Sequence, residues 1–127
     1  MTTDCPVCDR ENGHVPGCVI GELQALGKEG RQQHRRALLL VLLHTHPRPM
    51  TLRELADAAS ISVFDLSETA QTLMHEGLIY PHFSNFGQSP ALELTTAPHV
   101  PQECEQAADL LGMVLGQPLS PLLRRPA

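Results

Sequence analysis

Seven consecutive apolar residues, Ala37 to Leu43, close a segment from Arg31 to Leu43 that reads as a helix and is stopped by Pro47 and Pro49. Over two helical turns such a run leaves no face for solvent, so the helix must be covered on more than one side. That favours a central core helix and leaves open whether a second subunit supplies part of the cover. Seven residues are far fewer than the roughly 20 a membrane span needs. No positively charged start precedes a long apolar run at the N-terminus, so a cytoplasmic protein with no membrane partner is expected. A length of 127 residues suits one compact domain with attachments. Its core should be aliphatic, because Phe64, Tyr80, Phe83 and Phe86 are the only aromatics.

The pattern on either side of that helix supplies the rest of the organisation. A short helix is expected near Val19 to Leu26, followed by a flexible link, Gly27-Lys28-Glu29-Gly30. Thr51-Leu52-Arg53-Glu54 fits a capping box, which starts a helix at Leu52 with Leu52, Leu55, Ala56 and Ala59 inward. Ser60-Ile61-Ser62 gives a short turn, and Ser62 N-caps a further helix from Val63 to Glu76. Leu66, Ala70 and Leu73 line the buried side of that helix, and Gly77 is suited to a left-handed end. Leu78-Ile79-Tyr80 and Ala91 to Thr95 read as two strands around a loop, Ser84 to Gln88, with Leu92 and Leu94 inward. The order is helix, helix, turn, helix, hairpin.

Residues Ala37 to Thr96 resemble the winged helix-turn-helix regulators of the MarR and ArsR type, above all in the TLRELADAASIS and LMHEGLI blocks. The fold expected is mainly α with a small β-hairpin. A winged helix-turn-helix would occupy 31–97, with a zinc-binding module and linker over 1–30 and a C-terminal helix and tail over 98–127. The resemblance implies a DNA-binding transcription regulator whose third helix enters the major groove while the wing touches the backbone or minor groove. Winged helices also serve as dimerisation and protein-docking modules, so the fold alone does not fix the function.

Cys5, Cys8, His14 and Cys18 are spaced C-x2-C-x5-H-x3-C. Three thiolates and one imidazole make a complete tetrahedral set for Zn2+, which prefers sulfur and nitrogen donors. Gly13 and Pro16-Gly17 let the chain turn back, and a loop this short could hardly fold without metal. Two disulfides are the competing reading, although the fourth cysteine is the distant Cys104 and nothing suggests secretion. A closed four-ligand set leaves no position for water, which makes the zinc structural. Should His14 not coordinate, Cys104, His34, His44 or His46 could replace it. The cluster resembles the retroviral-type zinc knuckle, C-x2-C-x4-H-x4-C: Cys5, Cys8 and Cys18 match and His14 is displaced by one residue. That family stacks bases on aromatic side chains, and residues 1–30 contain none, so the binding activity does not carry over.

Charge runs against the regulator expectation. From Glu54 through Leu123 there is no lysine or arginine and there are nine acids, within a formal net charge of -5. Lys and Arg contacts to phosphate supply most non-specific DNA affinity. Phe64, Glu68, Gln71 and His75 should form the outward stripe of the third helix, with Asp65 and Thr72 beside it. Gln71 could read adenine and Glu68 could accept from cytosine. Phosphate anchors must then come from Arg31, Arg35, Arg36, Arg48 and Arg53, of which Arg48 and Arg53 are best placed. The bland reading of Arg31, Arg35 and Arg36 is a solvated helix end paired with Glu22 or Glu29. The competing function is docking onto a basic protein through Phe64 and the loop-tip Phe86 within an acidic rim.

Beyond Pro98 and Pro101, Gln102 to Leu115 reads as a helix with Cys104, Ala108, Leu111 and Leu115 on one apolar face. In MarR-type proteins a terminal helix completes the dimer, so the resemblance implies a homodimer through this helix, through Ala37 to Leu43, or both. Packing back on Ala37 to Leu43 within one subunit is the alternative. No nucleophile, carboxylate or glycine-rich phosphate-loop constellation points to an enzyme. His44-Thr45-His46 is more simply a helix end than a metal site. The leading expectation is a zinc-stabilised winged-helix regulator that binds double-stranded DNA as a dimer. Next come an adaptor or accessory factor for a basic protein partner, and third a metal-sensing regulator.

Overall fold

The computed structural model describes residues 17–45, 49–82, 90–117 and 119. In chain order they form α1 (Val19–Glu29), α2 (Gln32–Thr45), β1 (Met50–Thr51), α3 (Leu52–Ala59), α4 (Val63–His75), β2 (Ile79–His82), β3 (Ala91–Leu94) and α5 (Val100–Leu115). The architecture is mainly helical, with one three-stranded antiparallel sheet in the order β1-β3-β2. Among the described residues no helix is long and apolar enough to cross a membrane.

Residues 37–43 are all buried, and Leu39, Leu40 and Val41 are sealed completely. α1, α3, α4, α5 and β3 all pack on α2. The all-round cover that the apolar run demands is thus met within a single chain. Residues 37–43 are covered by elements of their own chain. α5 fills one side, with Cys104, Ala107, Ala108 and Leu111 buried. One core cluster takes in Ile20 and Leu23 of α1, the α2 run, Leu55, Leu66, Leu73, Ile79, Leu92, Leu111 and Leu119. The elements assigned to the flanks therefore share the central core.

Three local features depart from the sequence reading. The expected Gly27–Gly30 link is largely helical, since α1 continues through Gly27, Lys28 and Glu29. Gly27 is buried, and a Cβ built on it would lie 1.8 Å from the Ala59 carbonyl oxygen. This glycine permits a close approach of α1 to α3 instead of breaking the helix. Secondly, β1 adds a third strand to the hairpin, with Met50 opposite Leu92 and Thr51 opposite Ala91. Two residues carry no readable alternation. Thirdly, α5 begins at Val100, ahead of Gln102, with Pro101 in its first turn, where a missing N–H costs no helical bond.

The helix ends explain why α3 and α4 lie where they do. Thr51 Oγ1 accepts from the Glu54 N–H at 3.1 Å, and the Glu54 carboxylate accepts from the Thr51 N–H at 3.1 Å, completing the capping box. α3 ends on Ser60 at φ 58°, a left-handed conformation that costs a non-glycine residue roughly 1–2 kcal/mol. Ser62 then caps α4, its hydroxyl accepting from the Asp65 N–H at 3.2 Å. At the other end Gly77 takes φ 80°. The Gly77 N–H donates to Met74 O and the Leu78 N–H to Leu73 O, each at 3.1 Å, while Leu73 and Leu78 are both buried. These are the two bonds of the left-handed helix stop.

Candidate functional site

α4 divides its side chains between two environments. Leu66, Thr69, Ala70 and Leu73 are buried, and the Thr69 hydroxyl donates to the Asp65 carbonyl at 3.4 Å. Phe64, Asp65, Glu68, Gln71, Thr72 and His75 are all exposed, so the outward stripe expected from helical spacing is present as a continuous face. Phe64 is 81% exposed, which decides between display of its ring and packing beneath α3. Val63 beside it is also exposed, an extension of the apolar tip that the outward spacing did not pick out. The Thr72 hydroxyl donates to the Glu68 carbonyl at 3.2 Å, leaving its oxygen free to accept.

The electrostatics of this face follow from where the cations lie. Among the described residues neither Asp65 nor Glu68 has an ion-pair partner. Arg53 is exposed in the first turn of α3, as a phosphate anchor would need to be. Arg36 is not available in that way. It pairs with Glu76 at the end of α4 and lies 3.7 Å from Glu103 in the first turn of α5. Hydrogen bonding to Glu76 holds the Arg36 proton more tightly than usual, with desolvation acting in the opposite direction. The pairing of Arg36 with Glu22 or Glu29 is therefore replaced by a contact across three helices. Arg35 Nη1 donates to the Gly30 carbonyl at 3.0 Å, which ties that side chain to its own helix start. Sequence reasoning missed the Arg36 bridge, since Glu76 lies 40 residues away along the chain and neither neighbourhood signals the contact.

On the sheet, Tyr80 and Glu93 are cross-strand partners, and the phenol donates to Glu93 Oε2 at 2.8 Å. That bond raises the Tyr80 pKa above the usual phenol value. Phe83, Phe86 and Arg48 lie outside the described residues, as do Cys5, Cys8, His14 and His46. Cys18, the last residue of the expected zinc set, is buried immediately before α1. Among the described residues no group of three or more His, Cys, Asp or Glu side chains gathers as a metal site. Cys104, the suggested substitute ligand, is sealed between α5 and the core. Burial, with the Glu103 field, pushes its thiol up to about 11. The Thr45 hydroxyl donates to the Leu42 carbonyl at 3.2 Å, in keeping with a helix end at His44 and Thr45.

α5 turns its apolar face inward onto α2 of the same chain, the alternative to dimerisation considered above. Met113 and Val114 in its last turn remain exposed. Comparison with family models, curated proteins and solved structures found no match.

Proposed function

We propose that the chain is a binding module that docks α4 onto a basic segment of a protein partner. Phe64 and Val63 serve as the apolar anchor, and Asp65 and Glu68 select for positive charge. The carrying observation is the combination at one helix start: an aromatic ring 81% exposed beside two carboxylates that have no cation partner among the described residues. Exposed aromatics are effective interface anchors. Complementary charge raises encounter rates and rejects partners of the wrong sign. A winged-helix fold is part of the proposal. Its support is the order of elements from α2 to β3, the short turn between α3 and α4, and the pairing of β1 with the wing.

Zinc belongs to the proposal as a structural brace held by Cys5, Cys8, His14 and Cys18. With Cys18 buried ahead of α1, metal binding would act directly on the packing of that helix. Metal analysis of purified protein should return about one zinc per chain, and chelation should loosen α1.

Affinity capture with the intact chain tests the docking reading. A partner of net positive charge should be retained by the wild type, weaken with salt, and be lost with either Phe64→Ala or Glu68→Lys. Equal retention by both variants would reject it. Direct DNA binding is the second reading, favoured by the exposed Arg53 and by Gln71 on the α4 face. In that case replacing Arg48 and Arg53 by alanine should weaken duplex binding uniformly across sequences.

A further inference from the structure

Two carboxylates from different helices meet at one nitrogen of Arg36. Nη2 donates to Glu76 Oε1 and lies 3.7 Å from Glu103 Oε2, while Nε donates to Glu76 Oε2 at 3.4 Å. Like charges brought this close repel unless a cation stands between them. Their settings also differ. Glu76 caps the C-terminal end of α4, where the helix dipole already disfavours an anion, whereas Glu103 lies in the first turn of α5, where the dipole favours one. α4 and α5 each pack on α2, the helix that carries Arg36.

From this geometry we propose that Arg36 is an ionic latch between the C-terminal turn of α4 and the N-terminal turn of α5. With the guanidinium in place the two turns are held together, and with it withdrawn they push apart. The latch therefore sets the spacing between the far end of the α4 face, His75 included, and the start of α5. It is a property of the folded chain and holds whichever partner docks on α4.

Amide hydrogen exchange reads the two turns separately. The N–H groups of Glu76, Gly77 and Leu78 donate to Thr72, Met74 and Leu73, and that of Glu103 donates to His99. Arg36→Met keeps an aliphatic stem and removes the charge. It should speed exchange at 76–78 and at Glu103 by roughly three- to fivefold, the range for a partly exposed ionic contact. Adding Glu103→Gln should then slow exchange at 76–78, recovering roughly half of the loss or more, although the second change lies on another helix. Salt at about 1 M, where the Debye length is about 3 Å, should slow it likewise. Absence of recovery at 76–78 in the double variant would overturn the latch, because lost packing of the Arg36 stem behaves that way. Exchange rising equally along every helix in Arg36→Met would overturn it as well.

Discussion

α2 and α4 are of similar length, 14 and 13 residues, yet they meet solvent in opposite ways. α2 is closed on every side over 37–43, whereas α4 hides one stripe and displays the other. The difference lies in sequence period. An unbroken apolar run requires cover all round, while apolar residues at i, i+4 and i+7 require it on one side only. α2 is therefore the support and α4 the presented surface, and changes in the two helices should separate stability from binding.

The largest effect should come from the support. Leu39→Ala removes a fully buried side chain and should cost about 2–5 kcal/mol, read as a lower denaturation midpoint with an unchanged m-value. An effect below about 1 kcal/mol would mean that α2 is not enclosed as described. Gly27→Ala comes next. Alanine is the better helix former by about 1 kcal/mol, but its methyl would meet a backbone oxygen at 1.8 Å, which the flexing of a side chain cannot relieve. A net loss of about 1–3 kcal/mol is expected. A gain in stability would instead mean that α1 and α3 stand further apart.

Cys104 adds a pH signature to the α2–α5 packing. Its thiol is raised from 9.0 to about 11 in the fold, so the folded state binds the proton more tightly than the unfolded chain does. The associated stability is fully present below about pH 9 and is lost as pH rises toward about 11. Thermal melts across that range should fall, and they should fall less steeply for Cys104→Ala. Equal slopes would remove the burial of this thiol from the explanation. Smallest in stability, and the sharpest contrast with Leu39, is Phe64→Ala. It should shift folding by no more than about 0.5 kcal/mol while abolishing partner binding.

Much of the fold was legible because its signals were local and strong. The capping box at Thr51 and Glu54, the Ser62 cap and the Gly77 stop each rest on a few adjacent residues, and each formed as expected. The α4 face was legible by the same logic, since helical spacing alone separates Leu66, Ala70 and Leu73 from Phe64, Glu68 and Gln71. What escaped was non-local. Gly27 reads as a hinge until Ala59 is known to lie against it, and nothing in a two-residue strand announces β1. Arg36 lies 40 residues from Glu76 along the chain, so their contact had no signature in either neighbourhood. The terminal helix was ambiguous for a related reason: an apolar stripe records that cover is needed, and the α2 face of the same chain provides it.

A labelled duplex of random sequence, titrated with the full chain at about 50 mM salt and above, measures most directly whether the α4 face repels phosphate. Wild type should show no saturable binding tighter than about 10⁻⁴ M, the weak limit of ordinary non-specific affinity, and Glu68→Lys should gain binding. Micromolar binding by the wild type, with a log–log salt slope near -2 to -3 that shrinks on Arg53→Ala, would contradict docking onto a basic protein and return α4 to the groove of DNA.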